Sequence, residues 1–405
     1  MLTVKKPEEV NNVILENFES LNQVEEVSIL QALGRILAID VMAKEDIPSF
    51  NRSTVDGYAV CAKDTFGASE SNAIIFRCVK EIAMGEVVTE DLQKDECMYV
   101  PTGGMIPQGA DGVVMIEHTE NYGHGEVGIL KAASPSENVI FKGEDAKEGQ
   151  IVVHQGCKLT SKEIGCLADL GYVKIPVEKK LTIGIISTGD ELIEENSKLE
   201  LGKIRDVNTS LLSAFVMEQG CEAVSFGIVK DDEEELRRAL KKALDSCHMV
   251  LISGGSSAGF KDKTAKVIES LGELFFHGIA MKPGKPTILG KAQNKPIFGL
   301  PGHPVAAYYI SKMYVSAAIA RLQNRDFKLR TVPAVLTENI SANQGRALCV
   351  AVRLENKEGK LLAFPVRSKS GLIAAISETD GFVLVSRSSE GVEAGGCVDV
   401  ISIFE

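Results

Sequence analysis

The 405-residue chain lacks a long apolar run. Its longest stretches, such as Met249-Val-Leu-Ile252, fall far short of the roughly 20 residues that a membrane span needs. The opening Met1-Leu-Thr-Val-Lys-Lys-Pro-Glu-Glu carries no apolar segment of the kind that marks a secretory leader, so export is not expected. Nine cysteines are scattered without a single Cys-x-x-Cys pair, and six histidines form no ligand cluster. That excludes a zinc finger or a disulfide framework, and most of the thiols read as small buried groups in a reducing compartment. The P-loop signature Gly-x-x-x-x-Gly-Lys-Ser/Thr is missing. One Gly-x-Gly-x-x-Gly string, Gly123 to Gly128, lies in a β-rich stretch with no helix pattern after it, and reads as a turn. Positive charge is also in deficit: 44 Lys and Arg stand against 56 Asp and Glu, a net charge of −12 and a pI of about 5.2. A field of that sign disfavours non-specific binding to nucleic acid or anionic membrane, although local basic pockets can survive inside it.

What is present is ordinary soluble composition, 44% hydrophobic and 25% charged, in a chain long enough for about two to four domains. Such a chain buries more than one core without staples. Val10, Ile14, Phe18 and Leu21 recur at three- and four-residue spacing and predict a helix; Ile29, Leu30, Leu33 and Leu37 predict a second, over about 28–38. Pro48-Ser-Phe-Asn-Arg-Ser-Thr breaks the pattern. From Gly57 to about Val177, short apolar stretches alternate with Gly, Pro, Asn and Asp, which predicts β-rich folding, with a short helix over 162–170. Then Leu181-Thr-Ile-Gly-Ile-Ile186, Ala223 to Val229 and His248 to Ile252 read as strands. They alternate with helix patterns near 208–217, 231–243, 263–271 and 305–322. This alternation predicts a doubly wound, mostly parallel α/β domain, followed by a small all-β tail.

In an open α/β sheet, ligands bind beyond the carboxyl ends of the strands. Three such ends are rich in function: Ser187-Thr-Gly-Asp190-Glu191, Lys230-Asp231-Asp232, and Ser253-Gly254-Gly255-Ser256-Ser257 with Lys261-Asp262 just beyond. The glycine- and hydroxyl-rich loop entering a helix suits a phosphate, and Glu191, Asp231 and Asp262 on the same edge suit Mg²⁺. Taken singly, each acid reads as a helix cap or a solvated group rather than a ligand, and only together do they favour a site. Lys282 and Lys285 flank a Pro-Gly turn and make an anion-site candidate; the alternative is two solvated lysines on a hairpin. Leu300-Pro301-Gly-His303-Pro304 is a second rigid loop leading into a helix, with His303 as an acid–base candidate, although a lone loop histidine is usually not one.

Taken in order, these motifs resemble the MoeA family, the molybdopterin molybdenumtransferases, which includes the E domain of gephyrin. The similarity covers nearly the whole length. It is carried by Arg52-Ser-Thr-Val-Asp56-Gly-Tyr-Ala59, Pro101-Thr102-Gly-Gly104, Gly109-Ala-Asp111, Gly143-Glu-Asp145, Ser187 to Leu192, Ser253 to Gly255, Lys282 to Pro286, Leu300 to Pro304, and Ser370 to Gly381. Each is short, and the ordered set is specific. Two departures stand out. The last loop more often reads Pro-Gly-Asn-Pro-Val-Ser in the family, whereas here His303 and Ala306 stand in it, and the hydroxyl lost at Ala306 removes one ligand hydrogen bond. Ser256-Ser257 stands where Val-Ser is common.

The resemblance implies an elongated four-domain subunit: 1–50 with 135–178, a β-rich 51–134, an α/β molybdopterin-binding 179–325, and a β-barrel-like 326–405. It implies a cytoplasmic homodimer that joins molybdate to the dithiolene of adenylylated molybdopterin and releases AMP with Mg²⁺. Catalytic roles then fall on Asp56, Asp145, Glu191, Asp231, Asp262, Lys282 and Lys285, with Glu191, Asp231 and Asp262 as metal ligands. Substrate binding falls on Thr102, Gly254, Gly255, Ser256, Pro301, His303, Pro304, Arg346 and Ser370, the last in the tail near molybdate with Arg346. The 51–134 domain would serve the partner's active site. Implied partners are the small-molecule substrates, the molybdopterin adenylyltransferase and acceptor molybdoenzymes, with no nucleic acid and no membrane. Two other readings compete. An adenylyltransferase of related α/β fold typically shows Gly-Gly-Thr-Gly where this chain has Gly254-Gly-Ser-Ser, and would not need the surrounding domains. A gephyrin-like scaffold would not need the lysines and carboxylates.

Overall fold

The computed structural model describes residues 4–254, 258–366 and 371–403, with the backbone but not the side chains of 258–262 and 375. Gly255, Ser256 and Ser370 therefore lie outside the described residues, as does the side chain of Asp262. The chain divides into two compact units: Met1–Glu26, Gly34–Ala38 and Pro176–Glu405 form one, Val27–Leu33 and Ile39–Ile175 the other.

The second unit is built on a six-stranded sheet in the spatial order Gly112–Met115, Gly57–Val60, Glu96–Val100, Ile74–Glu81, Glu126–Ile129, Thr119–Gly123. Ile74–Glu81 alternates as a half-buried strand should, with Phe76 inward and Ile75 and Arg77 outward. The Gly-x-Gly-x-x-Gly string is the hairpin turn between the last two strands, where Gly123, His124 and Gly125 all take positive φ. The helix expected over 162–170 runs Ser161–Asp169, and Thr160 and Glu163 cap it reciprocally.

The N-terminal helix is Pro7–Asn17, with Val10, Val13 and Ile14 buried. The second expected helix does not form. Val24–Ser28 is a strand, and a single turn follows in which the Ala32 N–H reaches the Ser28 carbonyl at 3.0 Å. Gly34 then takes φ of +76° and ends it. Leu30 and Leu33 are exposed while Leu37 is fully buried, so the apolar spacing that suggested one helical face is divided between solvent and core.

The large unit contains the α/β sheet, ordered Glu222–Val229, Thr182–Thr188, Met249–Gly254, Lys295–Leu300, Ile288–Ala292, Glu273–Phe276. The first four strands run parallel, Ile288–Ala292 joins them antiparallel, and Glu273–Phe276, antiparallel to that strand in turn, runs in the direction of the first four, so the sheet is mostly parallel as expected. Helix Glu233–Ser246 starts two residues later than its acidic run suggested. Asp232 is its N-cap, accepting the Glu234 and Glu235 N–H groups at 2.9 Å each, and this leaves Asp231 in the strand-to-helix turn. Leu236, Leu240, Ala243 and Leu244 form its buried stripe. The last helical stretch, Pro304 to Leu322, is continuous but contains a π-helical turn at Ser311–Val315. The tail is a closed five-stranded barrel. Ala347–Lys357 pairs with Lys360–Pro365, then Thr331–Leu336, Cys397–Ser402 and Gly381–Val385, which returns to Ala347–Lys357. Closure removes the free edges that an open sheet would expose. Among the described residues no helix is long and apolar enough to cross a membrane.

Candidate active site

The strand ends of the α/β sheet converge as the topology requires. Ser187, at the end of Thr182–Thr188, donates to Asp206 Oδ1 at 2.9 Å and shares a 2.9 Å hydroxyl contact with Thr209. Asp206 caps helix Val207–Glu218, accepting the Thr209 N–H at 3.1 Å, and the Thr209 hydroxyl at 2.6 Å on its other oxygen. Asn208, in the first turn of that helix, donates through Nδ2 to Ser253 Oγ at 2.6 Å and to the Gly302 carbonyl at 2.9 Å. One buried amide thus ties together the two loops singled out from the sequence. Gly254 must be glycine: at φ +148°, a Cβ there would stand 2.1 Å from the Thr188 carbonyl. These groups enclose a cavity of about 470 Å³, whose wall includes Glu191, Gly254, Gly302, His303 and Pro304.

The carboxylates at this edge repel one another. Burial, then Asp190, then Glu191 push Asp231 above the usual carboxylate range, while Lys263 opposes the shift. Asp231 Oδ1 is shut from solvent and has no hydrogen-bond partner among the described residues, and Lys263 Nζ donates to the Asp231 carbonyl at 2.9 Å. Glu191 and Asp231 are therefore brought together. Among the described residues no group of three His, Cys, Asp or Glu stands close enough to hold a metal alone.

Lys282, Lys285, Pro301, His303 and Arg346 line a second cavity of about 1170 Å³. Its described lining includes no Asp or Glu, so three permanent cations face one space inside a chain of net charge −12. The lysine loop is held from both sides. Gly284, at φ +117°, lets the backbone pass Ile310, whose Cδ1 would lie 2.9 Å from a Cβ, and Thr287 Oγ1 donates to the Gly284 carbonyl at 2.7 Å. Met281–Lys282 also pairs in parallel with Ala347–Leu348 of the barrel, which sets Arg346 beside the lysine loop. Gly302 and His303 belong to the walls of both cavities.

Asp56 and Thr102 stand together in the other unit. The Thr102 N–H and hydroxyl donate to Asp56 Oδ1 at 2.7 and 3.0 Å, and hold this exposed carboxyl below its usual range. Asp145 is also exposed in that unit, and its N–H is bonded to the Ile47 carbonyl at 3.0 Å. Reading the sequence alone missed Asp206, Asn208 and Lys263. Asp206 carried a usable signal, an Asp immediately before an apolar-periodic run. The other two are defined only by what the fold places beside them.

Comparison with known proteins identifies first the class and then the family. Residues 184–321 match the model of a probable molybdopterin binding domain, the class that the α/β domain belongs to. Residues 5–171 match the MoeA N-terminal region (domain I and II), and 333–403 the MoeA C-terminal region (domain IV). The chain belongs to the MoeA family. It is 37% identical over 395 residues to a Methanocaldococcus jannaschii protein named for molybdopterin biosynthesis, covering 95% of this chain and 94% of that one. To the molybdopterin molybdenumtransferase of Bacillus subtilis strain 168 it is 32% identical over 413 residues, covering 100% and 96%. A crystal structure of a MoeA molybdopterin biosynthesis protein from Pyrococcus horikoshii OT3 superposes with a TM-score of 0.86 at 31% identity, covering 98% of this chain and 99% of that one.

Proposed function

We propose that the protein is a molybdopterin molybdenumtransferase, a transferase of molybdenum cofactor biosynthesis, which joins molybdate to the dithiolene of adenylylated molybdopterin and releases AMP. The observation that carries this reading is the pair of cavities meeting at Gly302 and His303, one with a glycine loop and carboxylates in its wall, the other largely apolar with Lys282, Lys285 and Arg346 and no carboxylate in its described lining. The strand-end cavity takes the nucleotide, with Gly254 and the neighbouring Gly255 and Ser256 at its phosphate. Pro301, His303 and Pro304 form the wall between nucleotide and pterin. Lys282, Lys285 and Arg346, with Ser370, orient the oxyanion. Each charge-assisted contact of this kind stabilises a bound anion by roughly 1.5–3 kcal/mol.

Magnesium fits the acidic edge. The unpartnered Asp231 Oδ1 and the repulsion from Asp190 and Glu191 are both relieved by a divalent cation. The small number of nearby carboxylates suits an ion that keeps waters and shares phosphate oxygens. Glu191, Asp231 and Asp262 would hold it; when bound, it neutralises developing phosphate charge. The chain's own groups orient the nucleotide against that edge. We further propose a cytoplasmic homodimer, divided as 1–50 with 135–178, 51–134, 179–325 and 326–405, in which Asp56, Thr102 and Asp145 of one chain serve the site of the other. The adenylyltransferase and the acceptor molybdoenzymes are its functional neighbours.

The test is incubation with adenylylated molybdopterin, Mg²⁺ and molybdate, following AMP. Molybdate-dependent AMP release is expected from the wild type and is lost in Lys282→Ala and Lys285→Ala, while both variants melt as the wild type does. An adenylyltransferase would form adenylylated molybdopterin from nucleotide instead, and a scaffold would do neither. Unchanged release in both lysine variants would remove them from the site.

A further inference from the structure

The parallel ladder between Met249–Gly254 and Lys295–Leu300 ends at the rung Ser253–Leu300. Beyond it the two chains continue as the loops that wall the site, Gly254 on one side and Pro301-Gly302-His303 on the other, without a backbone rung between them. They still touch: a Cβ on Gly302 would stand 3.5 Å from the Gly254 carbonyl carbon. Van der Waals contact of that kind sets a spacing but no direction, whereas hydrogen bonds set both. Asn208 supplies them. Its Nδ2 donates to Ser253 Oγ, at the last rung, and to the Gly302 carbonyl, past it. The Gly302 carbonyl can only accept, so the amide must present its nitrogen there. The side chain is 7% exposed, in a helical turn that Asp206 caps and Ser187 braces. Gly302 and His303 belong to the walls of both cavities, while Lys282, Lys285 and Arg346 are held by other elements.

We propose that Asn208 is a positioning residue, which sets the wall shared by the two cavities against the glycine loop and so aligns the nucleotide end of the site with the oxyanion end. The inference rests on the transferase reading of these cavities. Each ligand taken alone meets groups that Asn208 does not hold. The reaction needs both ligands in register, and a displacement of about 1 Å costs roughly a hundredfold in rate.

The test uses the full-length protein with Asn208→Ala, which removes both bonds, and Asn208→Asp, which keeps the volume but donates nothing when ionised. Molybdate-dependent AMP release gives kcat and KM, calorimetric titration gives the separate affinities for AMP and for sodium molybdate, and all are measured below the melting transition of each variant. In both variants kcat is expected to fall about thirtyfold or more, with KM and the two separate affinities within about threefold of the wild type. An unchanged kcat overturns the inference and leaves the transferase reading standing. A fall matched by losses of both affinities, or two variants that do not fold, would make Asn208 a packing group. A loss confined to AMP affinity and KM would make it a nucleotide contact instead, and either result overturns the proposal. If the wild type releases no AMP with molybdate, the transferase reading fails and takes the inference with it.

Discussion

Asp231 shows most directly how one side chain is set against its surroundings. Its carboxyl is raised by burial and by Asp190 and Glu191, so the folded chain binds its proton more tightly than the unfolded chain does. Stability from this group is therefore lost as pH rises from the unfolded value through the folded one, and at neutral pH the ionised Asp231 is a net cost. Asp231→Asn is expected to raise the melting temperature at pH 7 in the absence of metal. The gap from the wild type should close in acid, and Mg²⁺ should stabilise the variant less than the wild type. Differential scanning calorimetry across pH, with and without Mg²⁺, measures both. A variant less stable at pH 7 would mean that the carboxylate is satisfied within the fold.

The elements repeat this logic with backbone groups. His248 opens the central strand region, and its Nδ1 accepts the Thr182 N–H at 2.9 Å, a bond that only an unprotonated nitrogen can make. Burial, then Lys295, depress its pKa below the ordinary histidine value. The unfolded chain takes up the proton first, so the stability linked to His248 is complete above the unfolded pKa of about 6.5 and falls as pH drops towards the folded value. The melting temperature should decline below about pH 6.5 with a slope that His248→Gln removes; an unchanged slope would assign the decline elsewhere. These elements were also the most legible part of the sequence. The strand at 181–186 was readable as an unbroken apolar run, and the helix of Leu236, Leu240 and Leu244 because its burial follows one helical period. The expected helix over 28–38 was not, because its leucines answer to two different environments and Gly34 closes the turn. At the site, Lys282, Lys285 and His303 stood out through rigid Pro-Gly loops. Asn208 did not, since a buried amide has meaning only through partners distant in sequence.

At the scale of the molecule, the dimeric reading makes a claim that single variants do not reach. If each active site combines Asp56 of one chain with Asp262 of the partner subunit, Asp56→Asn and Asp262→Asn homodimers are both inactive. Dissociated and mixed, they form heterodimers with one doubly substituted site and one intact site, so AMP release should partly return. Mixed dimers that demonstrably form and stay inactive would confine both residues to their own chain. The charge distribution has its own logic at this scale. A net charge of −12 repels oxyanions from most of the surface, and the cavity of Lys282, Lys285 and Arg346 is where that field is locally inverted.

The short pairing of Met281–Lys282 with Ala347–Leu348 has a mechanical corollary. The lysines and Arg346 belong to different layers of the unit, and two rungs of parallel ladder fix the distance between them. On the proposed function, an anion gripped by both sides would act as a clasp across that seam, and linkage would make the grip reciprocal. Whatever loosens the barrel from the sheet weakens the hold on the anion, and whatever fills the cavity slows the parting of the two layers. The Ala347 amide, which donates to the Ala280 carbonyl across this seam, is thus a natural gauge of occupancy, and it should exchange more slowly with solvent the more tightly an anion is held.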